Sequence, residues 1–126
     1  MNLWLLGAAA ALVTIGGAHS VLGERRIFLP WRAAPPRDVP RTHRVILRAS
    51  WHLPTLLGLG QAAALALLAV RAGGAQAHAL LLPLAAGVAA CGALVAGATR
   101  GRHLGGVAML AAAGLILCGQ WWGTGP

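Results

Sequence analysis

The chain has 126 residues, 58% of them hydrophobic and 10% charged, which excludes a disordered chain and argues against a soluble globular domain. All ten basic residues are arginine, against only Glu24 and Asp38, for a formal charge of +8. The arginines lie in the gaps between apolar runs rather than over a folded face, so the excess points to membrane topology and anionic lipid headgroups, not to nucleic acid.

The first apolar run, Leu3–Leu22, is long enough to cross a hydrocarbon core, which takes about 20 helical residues. It has no basic region before it, and its basic residues follow it, so a retained span is expected rather than a cleaved signal peptide. Its end reads "GAHSVLGERR", residues 17–26. His19 and Ser20 appear inside the run, and Glu24 directly precedes Arg25 and Arg26.

The first connection, residues 23–42, carries Pro30, Pro35, Pro36 and Pro40, so it should not form one continuous helix. It reads as a basic, proline-rich cytoplasmic loop. Ile27, Phe28, Leu29 and Trp31 are candidates to lie in the interface while the arginines meet lipid phosphate. The second span is expected over residues 43–70. On it Arg44, Arg48, His52 and Thr55 share one stripe at helical spacing, with Trp51 at its margin. Pro54 removes one backbone hydrogen bond within that stretch and is expected to bend it. Gln61 is placed for an interhelical hydrogen bond.

"RAGGAQAH" and "TRGRH" read as tight turns, with Gly73, Gly74 and Gly101 supplying permissive backbone. They bracket a third span at 77–98 and lead to a fourth at 104–122. Gly92 with Ala96, Ala93 with Gly97, Gly58 with Ala62, and Gly16 and Gly17 are candidates for close helix approach. None of the four runs alternates as the strands of a β-barrel would. With no water in the bilayer core, each span must satisfy its own backbone. The expected fold is therefore all-α: an antiparallel, up-down bundle of four transmembrane helices in a single domain, residues 1–126.

Arginine counts set the expected orientation. The first connection and its helical extension hold seven arginines and the third connection holds Arg100 and Arg102, whereas the second holds only Arg71. The positive-inside rule then puts both termini outside. Trp4, Trp121 and Trp122 fall at the outer interface and Trp31 and Trp51 near the inner one, as aromatic belts do.

Candidate chemistry gathers at the inner edge. Antiparallel packing brings His19, His52 and His103 to similar depth on three helices. Two readings stand. In one, Glu24 pairs with Arg44 or Arg48 and the histidines hydrogen-bond, locking the first helix to the second. In the other, His19 and His52 ligate a metal or a b-type haem, or the arginines bind an anionic headgroup or small ligand. The histidines lack His-x-x-x-His spacing and carboxylates are few, so a cofactor is possible but not expected. Cys91 and Cys118 differ in depth by about 10 Å at helical rise, beyond disulfide reach, so two buried free thiols are expected. No acidic residue lies at mid-membrane, unlike the first helix of small multidrug-resistance transporters, which argues against proton-coupled export of that kind; a small transporter is a further alternative. A homo- or hetero-oligomer is compatible with all of these.

"HSVLGERR" together with "RASWH" resembles small four-span bacterial inner-membrane proteins of unassigned function. That resemblance implies a fold and a compartment, the cytoplasmic membrane of a bacterium, rather than an activity. The expected role is structural, accessory or lipid-interacting.

Overall fold

The computed structural model describes residues 1–71 and 75–122, with the side chains of 75–78 excluded. Gly73, Gly74 and the His78 side chain thus lie outside the described residues. The elements run α1 (Leu3–Gly23), a π-helical turn (Glu24–Phe28), α2 (Leu29–Ala33), α3 (Arg41–Val70), α4 (Ala75–Ala98) and α5 (Leu104–Trp122). Among the described residues there is no strand. Four helical stretches are long and apolar enough to cross a membrane, namely Leu3–Ala33, Arg41–Val70, Ala79–Ala98 and Leu104–Trp122.

The largest departure from the sequence reading is the end of the first span. The helix does not stop near residue 22 but continues through Ala33. The means is a change of register: the Leu29 amide bonds back to the Glu24 carbonyl, one residue farther than in an α-helix. Pro30 then falls in the first turn of α2, directly after the register change. The chain breaks only at Pro35 and Pro36. Helix α3 starts at Arg41, next to Pro40, and runs unbroken through Pro54.

α1 is antiparallel to both α3 and α5, and α5 is antiparallel to α4. The Asn2 amide donates to the Ala69 carbonyl at 2.8 Å, and the Asn2 side-chain amide donates to the Gly119 carbonyl at 2.8 Å. The same side chain caps α1, its oxygen accepting from the Trp4 and Leu5 amides. Trp4 meets Trp122 at 6.5 Å between ring centres, so both ends of the described chain lie at one end of the bundle. The spatial order is α3, α1, α5, α4. Among the described residues the consecutive helices α3 and α4 are not closely packed, unlike the sequential neighbours of a simple up-down bundle.

The shared core is apolar and small-residue rich: Leu5, Ala8, Leu12, Leu65, Val88, Ala112 and Ile116 are all buried. The outward faces are apolar too. Leu56, Leu57, Leu82 and Leu94 are each more than half exposed, which suits contact with lipid rather than water. Cys91 is exposed and Cys118 half-buried, and both are free thiols. They are unpaired as expected, but not both buried. Gln61 makes no hydrogen bond among the described residues, so its expected interhelical bond is not formed.

Of the small-residue pairs, Gly92 and Ala96 sit at a close approach. A Cβ added at Gly106 of α5 would lie 2.9 Å from the Ala96 amide nitrogen and 3.1 Å from the Gly92 carbonyl oxygen. Gly17, Gly58 and Gly97 face nothing within 4 Å. The turn after α4 is closed by Arg100 and Gly101, both at positive φ, with the Gly101 amide reaching back to the Ala96 carbonyl at 2.7 Å. Because backbone cannot move aside, Gly106→Ala should destabilise the bundle by about 1–3 kcal/mol. Gly114→Ala, which meets open space, should be neutral or slightly stabilising. Thermal unfolding of both variants in detergent checks the contrast.

Candidate functional site: a polar lock between α1 and α3

Helical spacing puts Gly16, Ser20, Gly23 and Glu24 on the α1 face that meets α3. From α3 come Arg48, Trp51, His52 and Thr55. The two sets form two adjoining bonded groups.

The first is an ion-paired chain. Glu24 accepts from Arg48 through both carboxylate oxygens, from Nε at 2.7 Å and from Nη2 at 2.9 Å. This side-on, two-point geometry is specific to arginine. The oxygen that takes Nε also accepts from His52 Nε2 at 2.9 Å. His52 Nδ1 lies 2.9 Å from the Ser20 hydroxyl. Ser20 donates to Thr55 at 2.9 Å, and Thr55, buried, donates to the Gly16 carbonyl at 3.2 Å.

The Gly16 carbonyl and the Glu24 carboxylate only accept. Thr55 therefore gives its hydroxyl hydrogen to Gly16, Ser20 gives its own to Thr55, and His52 Nε2 donates to Glu24.

The second group is reciprocal. His19 Nε2 donates to the Trp51 carbonyl at 3.1 Å, and the Trp51 indole N–H donates to the His19 carbonyl at 3.1 Å. The rings stack at 4.4 Å and 7°. Phe28, delivered by the π-turn, packs edge-on against Trp51 at 5.9 Å and lies 6.2 Å from His52. Trp51 can lie across α1 only because residue 23 is glycine, since a Cβ there would fall inside the indole.

Of the seven residues singled out from sequence, Glu24, Arg48, His52 and Thr55 are bonded into one chain, and His19 joins the adjoining pair. Arg44 does not reach Glu24. Its Nη1 donates instead to the Pro36 and Val39 carbonyls, at 3.2 and 3.0 Å, and closes the proline loop. His103 does not join either: its Nδ1 accepts from the Gly105 amide at 3.1 Å and caps the start of α5. Ser20, Phe28 and Asn2 were missing from that set. Ser20 could have been found, lying four residues before Glu24 and four after Gly16. Phe28 could not, because its place depends on the π-turn.

The donor set does not suit a metal or an axial haem ligand. Among the described residues no three His, Cys, Asp or Glu side chains are placed to hold a metal ion. Both nitrogens of His52 face bonded partners, and His19 Nε2 is turned to a carbonyl. No protein-family model, curated protein or solved structure matches the chain.

Two outcomes are expected. Gly23→Ala should displace Trp51 and break both reciprocal bonds, costing about 1–3 kcal/mol despite alanine's better helix propensity. Trp51→Phe should lose only the indole bond, about 1 kcal/mol.

Proposed function

We propose that the chain is a small, non-enzymatic multi-pass protein of a bacterial inner membrane, acting as a structural, accessory or lipid-interacting component. In this reading both termini face outward and the arginine-rich end lies in the cytoplasm against anionic headgroups. The observation that carries it is the state of the polar cluster. Its hydrogen bonds run across two helices that lipid gives no hydrophobic reason to associate. The Glu24 carboxylate and both nitrogens of His52 are engaged in those bonds rather than turned to an open space, as a general base would be.

Further support comes from the distribution of charge and apolar surface. Arg25, Arg26 and Arg32 on the helical extension, and Arg37, Arg100 and Arg102 in the connections, all lie at the end opposite Asn2 and Trp122. The bundle interior between the ends is apolar, which weighs against a transport path. Haem or metal at His19 and His52 is the alternative this geometry favours least, because binding would have to break the lock.

Topology reporters test the orientation. A periplasm-dependent reporter fused after Pro126 should be active, and one fused after Arg37 should be silent. The reverse pattern would overturn the orientation. Purified protein should show no Soret absorption; a Soret band lost on His52→Ala would overturn the structural role.

A further inference from the structure

Beside the lock lies a second feature, lined by different chemistry. The helical extension carries Phe28, Trp31 and Arg32 past the end of α1, and the proline loop reverses the chain. The first turns of α3 then bring Arg41, Arg44, Val45 and Arg48 alongside. With Pro35 these side chains border a pocket of about 300 Å³, the lower end of the range in which small ligands bind.

The lining has two halves. One is apolar and rigid: Phe28 is 4% exposed and holds Trp31 edge-on at 5.9 Å. The other is four guanidinium groups with no acidic side chain among the lining residues. Glu24 offsets one of them through Arg48. Arg44 is tied to two loop carbonyls through Nη1 alone. Arg32 and Arg41 have no hydrogen bond or ion pair among the described residues. Like charges gathered around one small space repel, and an anion placed among them relieves that repulsion. The guanidinium fork matches two phosphate oxygens at once.

We propose that this pocket holds the phosphate group of an anionic phospholipid, gripped by Arg32 and Arg41 with Arg44 and Arg48 behind them. The rest of the headgroup rests on Phe28, Trp31 and Val45. A lipid is favoured over free phosphate because half of the lining is apolar. Leu29 and Ile46, chain neighbours of the lining residues Phe28 and Val45, are exposed apolar side chains as well. The pocket also lies just beyond the apolar stretch of α1, at headgroup depth if the helices span the bilayer, so this assignment rests on the membrane reading above.

The test is native mass spectrometry of the full chain in detergent, offered phosphatidylglycerol and phosphatidylcholine. One phosphatidylglycerol should be retained in preference. Arg32→Gln with Arg41→Gln should weaken retention by about tenfold or more. Arg100→Gln with Arg102→Gln removes the same charge from the same end, outside the pocket, and should leave retention unchanged. Because Arg32 and Arg41 have no hydrogen bond or ion pair among the described residues, the first pair should keep its helical circular dichroism. Equal losses from both pairs would overturn the site in favour of diffuse charge. Equal retention of the two lipids would also overturn it, as would replacement of the lipid by about 10 mM inorganic phosphate. A failed topology test would remove the orientation and leave this binding result standing, so the two readings fail separately.

Discussion

In a bilayer, the apolar side chains of two helices gain nothing by leaving lipid for each other. Helix pairs must therefore be held by close approach and by polar bonds that would otherwise go unmade. The structure meets that constraint in two ways. α4 and α5 use proximity, with Gly92, Ala96 and Gly106 bringing backbones within contact. α1 and α3 use polarity, concentrating at one end a carboxylate, a guanidinium, two imidazoles, two hydroxyls and an indole.

That polarity explains why one acidic residue sits at the end of an apolar helix. Glu24 is in position only because the helix does not stop there. The π-turn starts at Glu24, carries Phe28 onto Trp51 and His52, and delays the proline break until a loop can form. The same turn supplies one wall of the arginine pocket. A single register change thus completes the lock and builds what lies next to it.

Much of this was legible in the sequence, for physical reasons that differ by residue. The spans at 104–122 and 43–70 were readable because apolar length is a strong signal and Pro40 marks a start. Arg48, His52 and Thr55 were readable as a group because a polar stripe on an apolar helix must find partners. The end of the first span was not, because Glu24, Arg25 and Arg26 end the apolar run and four prolines follow. A π-turn that moves Pro30 into a first-turn position leaves no composition signature. Arg44 and Arg48 were equivalent as partners for Glu24 by spacing alone. The Pro36 and Val39 carbonyls of the folded loop decided between them. His103 was grouped by depth, but depth does not say which way a ring turns, and the Gly105 amide is its nearest donor.

The spatial order of the helices has a mechanical consequence. The lock lies wholly inside the α1–α3 pair, and the glycine contact wholly inside the α4–α5 pair. The two pairs meet along α1 and α5, where the side-chain hydrogen bond between Asn2 and Gly119 and the Trp4–Trp122 contact both sit near the termini. At the arginine end, no polar bond among the described residues joins one pair to the other. Separating the two hairpins would therefore break polar bonds only at the Asn2 rim, while along the rest of α1 and α5 it would open the shared apolar core.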